Sequence, residues 1–368
     1  MPDFRYGHAS AKDWREAVNS CLEQLGQGPA SLGFLYVTDI LADHLGDIVA
    51  AFKGKTGVPH WVGTVGIGVC ASGREYLDEG AMVVMVGDFE PDSFRVFSGV
   101  ASATDVDNVA LKCGGAVPNF GIVHADPYNR HVGELVARLA GKVESGFLVG
   151  GLTSSRRQSL QVADGVVEGG LSGVSFADSV TVATRLTQGC SPLGPKHVVT
   201  SCQHNVIITL DGRAALDVFK EDIGEALARD LNRIGGHVFV GLPIAGSDTG
   251  DYLVRNLVGI DPANRLIAIG ELLQPGQNVM FCRRDSKTAN DDMARMLDSI
   301  RKGMYSQPRG GIYYSCVGRG ASLFGPNSEE LKMIRGSLGD FPLVGFFCNG
   351  EISHNRLYGY TGVLTLFV

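Results

Sequence analysis

The stretch Gly33-Phe34-Leu35-Tyr36-Val37-Thr38-Asp39 decides the fold. It continues through Asp43-His44-Leu45-Gly46-Asp47-Ile48-Val49-Ala50, Gly54-Lys55 and Trp61-Val62-Gly63, and the chain writes it twice. The second writing is Phe120-Gly121-Ile122-Val123-His124-Ala125-Asp126, then His131-Val132-Gly133-Glu134-Leu135-Val136-Ala137, Gly141-Lys142 and Leu148-Val149-Gly150. Asp39 and Asp126, His44 and His131, Lys55 and Lys142, and Gly63 and Gly150 are each 87 residues apart. A gapless match of this kind identifies an internal repeat.

Spacing sets the form of the repeat. Phe34 to Val37 is a short apolar run with aromatic and β-branched residues, a buried-strand signal. Leu45, Ile48, Val49 and Phe52 make one helix face, repeated as Val132, Leu135, Val136 and Leu139. Asp43 is the expected N-cap, and Gly54 and Gly57 are expected to end the helix. Val62 to Val65 then resumes extended structure. A third, looser copy runs from Gly311 to Phe346, with a strand to Cys316, a helix opening at Glu329-Glu330, and a strand from Leu343.

At 368 residues the chain is long for one domain. A boundary near Gln203 gives domains 1–203 and 204–368. The fold class expected is α/β: two domains of mixed β-sheets with flanking helices, built from strand–helix–strand units, with two sheets face to face and helices outside. Ser10-Ala11-Lys12-Asp13 reads as the start of a helix carrying Trp14, Ala17, Val18, Cys21, Leu22 and Leu25 on one face. In the second half, helices are expected from Asp211 to about Ile234 and from Thr288 to Lys302.

A net charge of −7 argues against a nucleic-acid groove and against an acidic membrane surface. No apolar run reaches the length of a membrane span, and Met1 to Tyr6 lacks a signal-peptide core. Eight cysteines without a Cys-x-x-Cys pair fit buried thiols in a reducing cytoplasm. The Arg156-Arg157 and Arg283-Arg284 pairs read as solvated turns rather than phosphate sites. There is no Gly-x-Ser-x-Gly elbow, no phosphate loop and no His-Glu-x-x-His. Nine histidines show no metal-ligand spacing. His44 and His131 read as capping or surface residues. One axial donor suffices for haem, and His204, His237 and His354 cannot be ranked for that role.

Two polar clusters stand where the repeat itself needs none. Val317-Gly318-Arg319-Gly320 follows the first strand of copy three, and Cys348-Asn349-Gly350-Glu351 follows the second. Parallel neighbouring strands would bring both clusters out at one end, where α/β sheets bind ligands. Arg319 would offer a fork for a carboxylate and Glu351 a seat for an ammonium. Gly318 and Gly320 would let a ligand approach the backbone. Ser315, Asn349 and Gly350 complete the candidate ligand site. An Arg319–Glu351 ion pair is the plain alternative. Cys316 and Cys348 read as buried small residues, and a hydrolase using Cys316 or Ser315 has no general base placed by sequence. Neither a catalytic nor a metal-binding residue is assigned.

The Gly-Arg-Gly after a Tyr-Tyr-Ser-Cys strand, the run Pro342-Leu343-Val344-Gly345-Phe346-Phe347-Cys348-Asn349-Gly350-Glu351-Ile352, and Tyr360-Thr361-Gly362-Val363-Leu364 resemble the C-terminal FIST domain. Segments 33–87 and 120–151, with Gln188-Gly189-Cys190-Ser191-Pro192, resemble the N-terminal FIST domain. The resemblance implies a sensory module of intracellular signalling that binds small ligands such as amino acids. It implies haem binding and a nitric oxide response as the alternative. Without an attached F-box, kinase, cyclase or receiver segment, the expected partner is a separate signalling protein such as a histidine kinase or a cyclic-nucleotide enzyme. Arg319→Ala is expected to abolish binding of an acidic or zwitterionic ligand and leave the fold intact.

Overall fold

The computed structural model describes residues 4–231, 234–244 and 252–368. Met1 to Asp3, and Asn232 and Arg233 of the expected helix, lie outside the described residues. The chain forms two compact units, residues 1–187 with 293–368, and residues 188–292. Position 203 ends the strand His197–Gln203 inside the smaller unit. All three copies of the repeat therefore belong to the larger unit.

In that unit each copy forms a parallel strand pair joined by a helix. Copy one is Leu32–Thr38, Leu45–Thr56 and His60–Gly66. Copy two is Phe120–Ala125, Val132–Ala140 and Phe147–Leu152. Copy three is Gly310–Cys316, Glu329–Leu338 and Leu343–Cys348. Each pair lies at the centre of its own six-stranded sheet. The unit thus has three mixed sheets, not two face to face. Their inner faces share one core, in which Phe34, Tyr36, Ile122, Val149, Tyr314 and Phe346 meet.

The three sheets are wired alike, in a cycle. Beside the second strand of each pair lies an antiparallel hairpin that belongs to another copy. The hairpin of residues 160–168, which follows copy two, completes sheet one. Residues 351–358, which follow copy three, complete sheet two, and residues 68–77, which follow copy one, complete sheet three. The opposite edges follow the same rule. Phe94–Val100 edges sheet two and Val182–Gln188 edges sheet three. Sheet one takes its edge from the start of the chain, Phe4–Ser10.

Pairing register corrects the 87-residue offset within the first strand. Gly63 faces Leu35, Gly150 faces Val123 and Gly345 faces Tyr313. At each of these glycines a Cβ would lie 1.7 to 1.8 Å from the facing carbonyl oxygen, so only glycine fits. The equivalent first-strand residues are then Leu35, Val123 and Tyr313, an offset of 88 between copies one and two. The offset of 87 holds for the second strand and the helix start. The turn between them is one residue longer in copy one, where Asp39–His44 form a 3-10 helix. That turn displaces the expected cap: His44, not Asp43, precedes the helix, and it makes no side-chain cap bond. Gly54 lies inside the helix, and Gly57, at φ 71°, closes it. Ser10 ends the strand Phe4–Ser10, and Asp13 caps the first helix, Trp14–Leu25, by accepting from the Arg15 amide.

The smaller unit is built differently. Antiparallel strands His197–Gln203, Val206–Leu210, Leu266–Ile269, Tyr252–Asp261, Val238–Pro243 and Asn278–Arg284 pair in turn, and the last pairs back to the first. This closed ring has no strand–helix–strand repeat. The helix Ala215–Ala228 supplies Leu216, Val218 and Phe219 to its core.

Candidate functional site

Sheet three differs from its two counterparts on the helix-covered face. The strand positions there are Leu35 and Val37 in copy one and Val123 and Ala125 in copy two, all packed in apolar cores. In copy three they are Tyr313 and Ser315. The neighbouring hairpin position is Val166 in sheet one and Leu357 in sheet two, but Glu75 in sheet three. Three residues beyond the first strand, copy one buries Leu41 where copy three buries Arg319. The helix of copy three adds Glu330, which is fully buried.

These side chains converge on one carboxylate. Arg319 Nε donates to Glu330 Oε1 at 2.7 Å, and Tyr313 Oη donates to the same atom at 2.6 Å. Glu330 Oε2 accepts from Ser315 Oγ at 3.1 Å and from the Gly320 amide at 3.0 Å. Phe324 lies against the flat face of the Arg319 guanidinium, 4.9 Å from ring centre to Cζ. Burial acts against the Arg319 charge, but Glu330 and Tyr313 outweigh it and hold its pKa above the usual value. Glu330, not Glu351, is therefore the ion-pair partner of Arg319 among the described residues.

Glu351 is also fully buried. Its Oε2 accepts from the Thr361 amide at 3.1 Å and from Thr361 Oγ1 at 2.7 Å. Burial raises its pKa to about 8, against the pull of Thr361 and of Arg319. Sheet one has a neutral counterpart at this place. Glu351 faces Gly151 as Gln161 faces Thr64, one step beyond the invariant-fit glycine in each case. Gln161 is fully buried too, bonded to Ser172 and to the Gly170 carbonyl.

Four buried polar atoms of this region have no hydrogen-bond partner among the described residues: Arg319 Nη1 and Nη2, Glu351 Oε1 and Glu75 Oε1. Such atoms carry a desolvation cost of about 1–3 kcal/mol each, more when charged. Glycine opens room beside them. A Cβ on Gly320 would lie 2.8 Å from the Phe347 ring and 3.2 Å from Glu75 Oε2. One on Gly318 would lie 3.3 Å from Tyr360.

The parallel pair does bring the two sequence clusters to one end, since Cys316 faces Cys348. Asn349 stays apart, because its side chain is exposed and its amide donates to Leu152 O. Gly350, at φ 135°, serves the turn beside Leu152. Cys316 is buried, and burial next to Glu351 pushes its thiol up to about 12, which disfavours a nucleophile. Ser315 already donates to Glu330. Sequence reading took Glu330 for a first-turn acid and passed over Glu75. The spacing Glu330, Ile334, Leu338 already set Glu330 on the apolar face. Nothing local marks Glu75, which reaches sheet three only through the hairpin exchange.

The other candidates fall into place around this. His44 and His131 are exposed, and His204, His237 and His354 are exposed on turns. His124, by contrast, is fully buried, its Nε2 3.3 Å from Tyr36 Oη, and burial pushes its pKa down to about 3. Arg156 binds Asp39 with Nε and Nη2, both at 2.8 Å, and Arg157 binds Asp43 at 2.7 Å. Among the described residues no group of three His, Cys, Asp or Glu could hold a metal ion. No described helix is long and apolar enough to cross a membrane.

The sequence profile of the FIST N domain matches residues 31–213, and that of the FIST C domain matches residues 215–354. The chain belongs to the FIST family. FIST domains are associated with sensory signalling. This FIST protein is similar to "Uncharacterized protein Rv0628c" of Mycobacterium tuberculosis (strain H37Rv), at 29% identity over 100% of this chain and 97% of the relative. It is also similar to "Uncharacterized protein Mb0898c" of Mycobacterium bovis, at 28% identity over 96% and 94%.

Proposed function

We propose that this FIST protein is a cytoplasmic, non-catalytic sensor that binds a small amino-acid-like molecule between Arg319 and Glu351 and passes the signal to a separate protein. One observation carries the reading. Of three sheets wired alike, two close this face with apolar side chains, and the third places a guanidinium and carboxyls there with atoms left unsatisfied. A buried ion pair adds little stability over apolar packing, so stability alone gives the third sheet no reason to differ. A ligand carboxylate would satisfy Nη1 and Nη2 of Arg319, and an ammonium would satisfy Glu351 Oε1.

The informative variant is Glu351→Gln. Arg319→Ala leaves Glu330 buried without its cation, which costs about 3–5 kcal/mol, so lost binding there would be confounded with unfolding. Glutamine is already accommodated at the matching place by Gln161. Glu351→Gln is expected to melt within a few degrees of the native protein and to bind an amino acid at least tenfold more weakly by calorimetry. Unchanged affinity in the folded variant would reject the site. The haem reading gains no support from the exposed turn histidines; a Soret band after reconstitution would revive it.

A further inference from the structure

The unsatisfied atoms also say which amino acid. Arg319 is already neutralised by Glu330 at 2.7 Å. Two further carboxyls face the same region: Glu351 on the strand Glu351–Ser353, and Glu75 on the strand Arg74–Leu77. Each has one buried oxygen without a partner among the described residues. A monoamino acid offers one carboxylate and one ammonium, which satisfies Arg319 and one carboxyl and leaves the other bare.

We propose that the ligand is a basic amino acid, with its carboxylate on Nη1 and Nη2 of Arg319, one ammonium on Glu351 and the second on Glu75. This rests on the ligand site proposed above. The charged neighbours support it. Arg319, Cys316 and Cys348 face Glu351, and Arg319 is the one cation in that group. Glu330 and Glu329, on the helix Glu329–Leu338, face Glu75 and repel its charge. Burial first, and then Glu330, lifts Glu75 to about 7, while Glu351 stands at about 8. In the empty site both carboxyls hold protons near neutrality. A diamino acid replaces those protons with ammonium groups, so binding releases protons and strengthens as pH rises from 6.5 to 8.5.

The test is calorimetry on the full chain with L-lysine, L-ornithine, L-alanine and L-glutamate, at both pH values and in buffers of different ionisation enthalpy. The proposal expects lysine or ornithine to bind at least tenfold more tightly than alanine, with net proton release and tighter binding at pH 8.5. Glu75→Gln should shrink the lysine–alanine gap to less than threefold. Alanine binding as tightly as lysine, with no proton release, overturns the basic-ligand proposal and leaves an amino-acid site standing. No binding of any of the four at either pH overturns both. Proton release is read on the native protein, so it decides even if Glu75→Gln fails to fold.

Discussion

His197 shows at the scale of one residue how the smaller unit is held. Its Nδ1 lies 2.6 Å from Asp211 Oδ2 and its Nε2 2.9 Å from Asp222 Oδ2, so both ring nitrogens donate and the ring is an imidazolium. Burial pulls its pKa down, but the two carboxylates more than restore it, and the net shift is upward from 6.5. The His197 hydrogen bond draws Asp211 below 3.8. A raised histidine gives stability that is complete below 6.5 and lost as pH rises through its folded pKa. A lowered aspartate gives stability present above 3.8 and lost as pH falls through its folded value. Glu351 and Glu75 add a decline of the same sign as His197. Protons they keep in the folded state up to about 8 and 7 are lost from the unfolded chain near 4.5. Urea midpoints should therefore fall between pH 6.5 and 9, less steeply in His197→Gln than in the native protein. Equal slopes would remove His197 from this role.

At the scale of the element, the parallel pair depends on one glycine. Gly345→Ala would drive a Cβ to 1.8 Å from the Tyr313 carbonyl oxygen. The strand must shift, and a loss of roughly 1–3 kcal/mol or more is expected in denaturant titration. Gly54 is the control. It lies in a helix with nothing within 4 Å of a Cβ and without a positive φ, so Gly54→Ala should stabilise by roughly 0.5–1 kcal/mol. Equal effects of the two would refute the contact argument. Repetition made these elements legible. Leu45, Ile48, Val49 and Phe52 announced a helix face, and Gly63 and Gly150 announced equivalent strand positions. Register was not legible, because Gly33-Phe34 and Phe120-Gly121 align by spacing in one way and by pairing in another. Phe4–Ser10 was missed because its polar residues Arg5, His8 and Ser10 lack a strand signal. Arg319 and Glu351 stood out as charges at strand ends. Their partners Glu330 and Thr361 are fixed by packing that no local pattern records.

Across the whole larger unit, cyclic wiring explains the position of the chain ends. Phe4–Ser10 fills in sheet one the edge that Phe94–Val100 and Val182–Gln188 fill in the other two. Those two strands follow the preceding strands Ala81–Gly87 and Leu171–Phe176 after short loops. By the same rule Phe4 should follow Phe367, and the two rings do stack with centroids 4.8 Å apart. A circular permutant joining Val368 to Phe4 through about six flexible residues, a length typical of loops, with new ends in the exposed Gly114-Gly115 turn, is expected to fold. Its melting temperature should fall within a few degrees of the native value. A permutant that expresses only as aggregate would contradict the cyclic scheme.

The same wiring supplies the control for the central claim, that the polar layer of sheet three exists for a ligand and not for the fold. The measurement is the unfolding free energy of a variant carrying Tyr313→Phe, Ser315→Ala, Arg319→Leu and Glu330→Leu, which gives copy three the apolar face of its counterparts. Replacing a buried ion pair by apolar packing is often neutral or stabilising, by up to about 4 kcal/mol. The account predicts a folded variant at least as stable as the native protein that no longer binds an amino acid. A variant that is unfolded, or less stable by several kcal/mol, would show that the layer serves the fold.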